Sequence, residues 1–478
     1  MPQPDPAATA SRTFADRFAE LRRSAADALA VVDADRAQRL TRDELARAAD
    51  RAGVLVDGFA PGRVIAVQMP NGAEFFAAIL ACWQRDLVPM PVDDDVAAPA
   101  LDELCRAAGA SAVLRSGPDG RATVAPAPEP DVAVTMPAGV ALLKVTSGTT
   151  GEPRAVCLGA DALAVGVAQI VSTMELVPSD RNLVTIPLAH SYAFDNVVLT
   201  LLRDGMPAIL ARDLTPRRLL TVAREHEATI LPTVPFLIDV LARAADSRVP
   251  SLRRVISAGA PLPASARERF AAALGVRPRT FYGATECGGI AFDREGDGSL
   301  PDGCVGTPLD GVRIVLEDAD EDGVGRVCVR SASAARGYHP APTGLAADDV
   351  VLGNRRFRTA DLARRDEHGQ LHLVGRVHDV VNVGGRKVYP AEIERVIRTV
   401  PGVHDVVVTG VARSAVADAL RAVVAAEAHV TRDAIVAACE QRLARYKVPR
   451  SIEIVPALPR TARGKIDRRA LDAREPID

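Results

Sequence analysis

The run Thr146-Ser147-Gly148-Thr149-Thr150-Gly151-Glu152-Pro153-Arg154 crowds hydroxyls and glycines behind the apolar stretch from Ala141 to Val145. Glycines let a backbone adopt positive φ and approach a ligand closely, Ser and Thr hydroxyls donate hydrogen bonds, and successive N–H groups converge into an anion nest. With Arg154 adding positive charge, the chemistry this spacing serves is the grip of a polyphosphate. An ordinary turn after a strand has the same local composition, so the residues downstream decide between the two.

Further polar clusters follow in order. Tyr282-Gly283-Ala284-Thr285-Glu286 sets a ring, a hydroxyl and a carboxylate in one segment flanked by Gly288 and Gly289, suited to stacking a base and holding a cation beside its phosphates. Arg358-Thr359-Ala360-Asp361 offers an acceptor for sugar hydroxyls, and Gly375-Arg376 a permanent cation. Pro459-Arg460-Thr461-Ala462-Arg463-Gly464-Lys465-Ile466 carries a lysine on a glycine-hinged loop that can deliver an ammonium to a distant site. Singly, these residues also fit a core aromatic, a turn cap, a surface ion pair and a solvated lysine. His226, His339, His368, His372, His404 and His429 have no metal-ligand spacing and are read as structural or exposed.

The elements that must position these clusters alternate in type. Phe14, Phe18 and Leu21 recur at helical spacing, and Thr41-Arg42-Asp43-Glu44 is a capping box that opens a second helix. Val64 to Met69 reads as a strand, Phe75 to Trp83 as a buried helix and Val88 to Val92 as the next strand, a βαβ order that predicts a parallel sheet. Gly117 to Gly139, rich in Pro, reads as a surface connection. From Asp180 to Ile256 a second α/β unit follows, with a helix from Asn196 among its elements. Short β-type runs after Leu300 predict a small β-rich subdomain, and a compact α+β tail closes the chain. The fold class is therefore α/β: a large N-terminal domain of two α/β subdomains plus a small β-rich one, and a small mobile α+β C-terminal domain. No internal repeat is evident.

At 478 residues the chain is too long for one core, and its net charge of −3 supplies neither a basic field for nucleic acid nor a polybasic patch for lipid. Small molecules are the expected partners. Seven scattered cysteines, with no C-x-x-C spacing, argue for a reducing cytoplasm rather than a disulfide framework or zinc site. Met1 to Ala10 lacks the charge and apolar core of a signal peptide, and no stretch is long enough to span a membrane.

In T-S-G-T-T-G-x-P-R, Y-G-A-T-E, T-A-D-L, G-R-x-x-D-x-V-N-x-G-G-x-K-x-x-P-A-E-I-E and P-R-T-x-x-G-K-I, the chain resembles the superfamily of adenylate-forming enzymes, which includes acyl- and aryl-CoA synthetases, peptide-synthetase adenylation domains and luciferase. The likeness runs from about the Thr41 helix to Leu471. It implies a two-step reaction with ATP, Mg²⁺ and CoA or a carrier-protein phosphopantetheine: a carboxylic acid becomes an acyl-adenylate, and a thiol then takes the acyl group. It implies that Thr146, Ser147, Gly148, Thr149, Thr150, Gly151 and Arg154 grip phosphates, with Gly259, Ala260, Pro261, Tyr282 and Gly283 also on the nucleotide. By the same likeness Thr285 would contact the α-phosphate, Glu286 would bind Mg²⁺, and Asp361 and Arg376 would hold the ribose. Lys465 would bridge the substrate carboxylate and the α-phosphate, and His190 would stand with Lys465 and Thr285 in the catalytic set. Ser191, Tyr192, Gly283 and Gly289 would line the acyl or aryl pocket; the A-H-S-Y form resembles that of hydroxybenzoate-activating members. The expected domains are 1–376 and 377–478, with His378 as the hinge between half-reactions and Gly385 beside the thiol's path. The chain is expected to act as a monomer or homodimer.

It also departs from the family at Arg154, Ala155, Ala360 and His378, where lysine, glycine, glycine, and Asp or Lys are usual. None of these removes a ligand. Phe194-Asp195 superficially resembles the ammonium-binding aspartate of amino-acid-activating members but sits several residues late. Acid–CoA ligase and stand-alone adenylation enzyme loading a carrier protein both remain open, as does the identity of the acid. A P-loop kinase or GTPase lacks its G-K-[ST] ending here, and a non-catalytic nucleotide sensor predicts loss of Glu286 or Lys465, both present.

Overall fold

The structure is a computed structural model; it describes residues 6–117, 119–130, 136–146, 154–295, 300–301, 303–340, 351–352, 355–383, 386–414, 417–460, 466 and 470–471, with backbone alone at 6–12, 146, 351–352, 378, 382, 387, 412–414 and 417–418. The chain divides into two compact units, Met1–Val315 with Cys328–Thr359, and Leu316–Val327 with Ala360–Asp478.

In the first unit the βαβ expectation is met: Val88–Val92, Val64–Gln68 and Ala110–Ser116 lie parallel in one sheet, and the Ala73–Gln84 helix is their crossover. Trp83 on that helix is fully buried, donates from Nε1 to Ala141 O at 2.8 Å, stacks on Phe14 at 5.0 Å and meets Phe194 edge-on at 6.3 Å. One ring thus ties the amphipathic Pro6–Ser24 helix and the Phe194 segment to the crossover helix. The Thr41 capping box is present, with Thr41 Oγ1 accepting from Glu44 N at 3.2 Å and Glu44 Oε2 accepting from Thr41 N at 2.8 Å.

A nine-stranded sheet forms the second layer, in the order Thr307–Pro308, Gly288–Phe292, Pro278–Ala284, Arg254–Ser257, Ile230–Thr233, Asn182–Val184, Ala208–Leu210, Leu29–Asp33, Gln38–Thr41. Its strands from Pro278–Ala284 to Leu29–Asp33 are parallel.

Three local readings need correction. The Leu29–Asp33 and Gln38–Thr41 pair, absent from the sequence reading, completes the second sheet: Leu29, Ala30, Val31 and Val32 are too few to show a period, and their burial comes from the distant Ala208–Leu210 strand. Ala122–Pro126, inside the expected surface connection, is an edge strand, where a proline's missing N–H costs no ladder bond. The helix expected from Asn196 begins at Ser191, capped by His190, and passes through a π-helical turn at Phe194–Val198 before Leu199–Asp204.

In the second unit, Val403–Ser414, Ala417–Ala426 and Ser451–Val455 form a sheet, and the Pro390–Ile397 and Arg432–Arg442 helices bury Ile393, Ile397, Ile435 and Cys439 in the same core. Among the described residues, no helix is long and apolar enough to cross a membrane.

Candidate active site

The phosphate-loop run joins two strands of a small antiparallel sheet. Leu142–Thr146 leads in and Arg154–Leu158 leads out, with Thr146 paired to Arg154 at the mouth; Ser147, Gly148, Thr149, Thr150 and Gly151 lie outside the described residues. Gly337–His339 extends this sheet on the far side. Lys144, Val156 and Tyr338 stand in one row across the three strands, so their side chains share a face, Lys144 and Tyr338 being about 9–10 Å apart at two strand spacings. Each holds an acid. Lys144 Nζ donates to Asp195 Oδ1 at 2.5 Å, and Tyr338 Oη donates to Glu286 Oε1 at 2.8 Å.

Lys144 is 3% exposed, and its ammonium also lies 5.6 Å from the Phe194 ring centroid. Two charges taken out of water survive only as partners, and removing either one costs about 3–5 kcal/mol. Neither Lys144 nor Tyr338 was singled out from sequence. Lys144 interrupts the apolar stretch before the phosphate loop, which was a readable signal; Tyr338 lies in no motif.

The His190-Ser191-Tyr192 segment is positioned by a turn from another element. Asn71, from the Pro70-Asn71-Gly72 turn, accepts from Leu188 N at 2.8 Å and donates to Ile186 O at 3.1 Å, clamping the approach. His190 then caps the helix, Nδ1 accepting from Tyr192 N at 3.4 Å. Ser191 Oγ donates to Thr285 Oγ1 at 3.0 Å, joining the expected acyl-pocket segment to the expected nucleotide segment. Tyr192 stacks on Phe281 at 5.6 Å and donates from Oη to Ile256 O at 2.8 Å; burial pushes its phenol well above the usual range, so it stays neutral.

Tyr282 and Gly283 end the Pro278–Ala284 strand. The turn beyond them is tight: a Cβ at Gly283 would stand 2.8 Å from Gly288 O, and Gly288 has φ +70°. A Cβ at Gly289 would collide with Leu309 and approach Phe281 to 2.9 Å. Glu286 is anchored from both ends, its backbone O accepting from Ala335 N at 2.7 Å and its carboxylate from Tyr338. Gly259, Ala260 and Pro261 form an exposed loop after Arg254–Ser257, with Gly259 at φ +84°. The loops bearing His190, Gly259 and Thr285 thus all leave the carboxyl ends of the parallel strands Asn182–Val184, Arg254–Ser257 and Pro278–Ala284, where open α/β sheets bind ligands.

In the second unit Asp361 and Arg376 oppose one another on an antiparallel ladder, and Arg376 Nε donates to Asp361 Oδ1 at 3.0 Å. Arg376 is largely exposed, so the pair adds little stability. His378 lies in the single Val377–Asp379 turn, Gly385 falls between the paired residues Val383 and Arg386, and Lys465 follows Arg460; Gly385 and Lys465 lie outside the described residues. Among the described residues, no group of three His, Cys, Asp or Glu can hold a metal. Mg²⁺ takes hard oxygens and is commonly held by one or two carboxylates plus nucleotide phosphates, so Glu286 fits it as a protein ligand.

The AMP-binding enzyme family model matches residues 18–339, and that of the AMP-binding enzyme C-terminal domain matches residues 392–465. A feruloyl-CoA synthase of Amycolatopsis sp is 31% identical over 460 residues, covering 89% of this chain and 92% of the relative. A long-chain-fatty-acid–CoA ligase of Mycobacterium tuberculosis is 28% identical over 86% of this chain and 87% of its own length. Among solved structures, ATP-bound MatB from Rhodopseudomonas palustris superposes with a TM-score of 0.83 at 26% identity, over 96% of this chain and 98% of that one. A site assembled at the strand ends between Ser191, Thr285 and Glu286, inside a chain matched along nearly its whole length, leads to one conclusion: the chain belongs to the AMP-binding enzyme family.

Proposed function

We propose that the chain is an AMP-forming acid–CoA ligase. A substrate carboxylate oxygen attacks the α-phosphorus of ATP and pyrophosphate leaves; the sulfur of CoA then attacks the acyl carbonyl, and AMP leaves. The observation that supports this reading is the Ser191 Oγ to Thr285 Oγ1 hydrogen bond of 3.0 Å, which joins the segment proposed for the acid to the segment proposed for the nucleotide. Both reactants of the first step need that adjacency, and such positioning supplies much of the rate where no protein nucleophile takes part.

Each residue has a part in this reading. The Thr146–Gly151 segment and Arg154 hold the phosphates. Tyr282 flanks the base, with Gly259, Ala260, Pro261 and Gly283 leaving room for the nucleotide. Asp361 and Arg376 take the ribose, their mutual ion pair keeping both side chains extended from adjacent strands. Thr285 contacts the α-phosphate, Lys465 offsets the charge that develops there, and His190 and Ser191 orient the carboxylate. Glu286 would hold Mg²⁺, which would supply neutralisation of phosphate charge. The functional boundary lies at 376/377, with His378 as the hinge and Gly385 on the thiol's path. Seven buried, unpaired cysteines support a reducing, cytoplasmic setting.

Pyrophosphate exchange into ATP, run across aryl, short-, medium- and long-chain acids with and without CoA, tests the reading. Exchange that depends on one acid, with thioester formed on CoA, is the expected result. Adenylate that accumulates despite CoA assigns the acyl group to a carrier protein instead. Absence of exchange with every acid overturns the reading.

A further inference from the structure

The segment that carries Lys465 is bounded by Arg460 and Ile466, and both of these lie among the described residues. They pair with each other as an antiparallel bridge, so the segment is closed at its base. Each is also tied to the sheet of the second unit. Ile466 packs against the cluster of Val407, Val423, Val455, Leu458 and Leu471. Arg460 donates from Nη2 to Asp405 Oδ2 at 2.6 Å, an ion pair whose side chains are 34% and 20% exposed.

Asp405, which lies in none of the motifs, is itself held from several sides. A bulge between Val403 and Asp405 resets the phase of the Val403–Ser414 strand. Beyond it Val406 and Val408 enter the core with Ile393 and Ile397, while Asp405 and Val407 share the opposite face, where Ile466 packs. Asp405 Oδ1 accepts from Val406 N at 2.9 Å and stands 3.5 Å from Arg398 Nη2, which also donates to Val406 O at 3.2 Å. The buried Glu394 ties down that arginine at 3.5 Å and accepts from Val408 N at 3.0 Å. With one carboxylate oxygen fixed to strand and helix, the other has a set direction, and that oxygen takes Arg460. A partly exposed ion pair adds little stability, so what this one supplies is position.

We infer that Asp405 and Arg460 are positioning residues for the first half-reaction: their ion pair fixes the base of the segment that delivers Lys465. The inference rests on the ligase reading above, in which Lys465 offsets the charge that develops at the α-phosphate. A lysine ammonium rides on a flexible four-carbon stem, and bringing it to one point already costs rotamer freedom. A base that pivots adds further arrangements to be excluded. A base held by a backbone bridge on one side and a carboxylate on the other does not. The thiol step, in which that reading gives Lys465 no part, is independent of the pair.

The test compares the two half-reactions of the full chain, using the acid of the panel above that supports the fastest exchange. Pyrophosphate exchange reads the first; thioester formed from CoA and the synthetic adenylate of the same acid reads the second. Asp405→Ala and Arg460→Ala are each expected to lower kcat for exchange at least about 10-fold, as displaced catalytic groups do, while KM for ATP and acid and the rate of thioester formation change less than about threefold. The double variant is expected to be no slower than the slower single one, because both remove the same bond. Arg460→Lys, which keeps the charge, is expected to retain at least about a third of kcat. A thermal melt shows which variants fold, and the more exposed Arg460→Ala decides the matter if Asp405→Ala does not. Exchange within about threefold of the unaltered chain overturns the inference, as does an equal loss in both half-reactions, which marks a role in the fold alone. In either case loss of exchange in Lys465→Ala leaves the ligase reading standing. Exchange that survives Lys465→Ala, or that is absent with every acid, overturns that reading of the site, and this inference with it.

Discussion

Tyr338→Phe removes one oxygen and asks whether Glu286 is held for a metal. The Tyr338 hydroxyl donates to Glu286 Oε1 at 2.8 Å, a hydrogen bond to a charged acceptor, and such bonds contribute about 1.5–3 kcal/mol. Glu286 and Tyr338 are both half-buried, so water replaces part of the lost interaction and the lower end applies, about 1.5 kcal/mol, or roughly tenfold in an equilibrium constant. That free energy appears where the orientation of Glu286 is used. If the bond presents the carboxylate to Mg²⁺, the Mg²⁺ concentration for half-maximal pyrophosphate exchange rises about tenfold, while kcat at saturating Mg²⁺ changes less than about threefold. If Tyr338 instead competes with the metal for the same oxygen, the half-maximal concentration falls. The assay is exchange against free Mg²⁺ at saturating ATP and acid, with a thermal melt to show that the fold is kept. An unchanged or lowered Mg²⁺ requirement refutes the positioning role.

Other outcomes follow from the same geometry. Lys465→Ala is expected to lower adenylation by about 100-fold or more while ATP binding, read by equilibrium titration, stays within about threefold. Asp180 is buried and accepts from Arg253 Nε at 2.6 Å, Thr229 Oγ1 at 2.7 Å and Val177 N at 2.8 Å. Burial raises its pKa, but these donors outweigh burial and hold it below 3.8. Its contribution is therefore present above that value and is lost as pH falls through the lowered pKa. Asp180→Ala should cost about 3–5 kcal/mol in urea unfolding at pH 7 and flatten the acid limb of stability; an unaltered acid limb counts against the assignment. All seven cysteines are buried, and burial pushes the Cys82 and Cys157 thiols up to about 12, so at pH 8 the native chain should resist iodoacetamide and the unfolded chain should take up seven equivalents.

The parts of the molecule that could be read from sequence are those whose cause is local. Thr41 and Glu44 make their capping box within one turn, and Val64 to Val92 carries a βαβ unit whose strand bounds fall within a residue of the sequence reading. The candidate nucleotide and acid segments stand out as short motifs because glycines, hydroxyls and a carboxylate gather within a few positions. What could not be read has a distant cause. The Leu29–Asp33 strand owes its burial to Ala208–Leu210, and Tyr338 owes its place beside Glu286 to its row with Val156 and Lys144. The helix start was misplaced because His190 caps it with a weak acceptor, while the apolar period shows only from Phe194 onward.

Lys144 and Asp195 show what motif reading leaves out. Each interrupts a segment whose other members are mostly apolar: Leu142, Leu143 and Val145 around the lysine, and Ala193, Phe194, Val197 and Val198 around the aspartate. A single misfit of this kind leaves the strand or helix reading intact, because periodicity averages over its neighbours. Physics does not average. An isolated charge in either position carries a desolvation penalty of several kcal/mol, so each misfit requires a partner of opposite sign. The first segment leads into the Thr146 run and the second follows His190-Ser191-Tyr192. Lone opposite charges in two apolar runs are therefore a joint signal, invisible in either run alone, and here they meet at 2.5 Å.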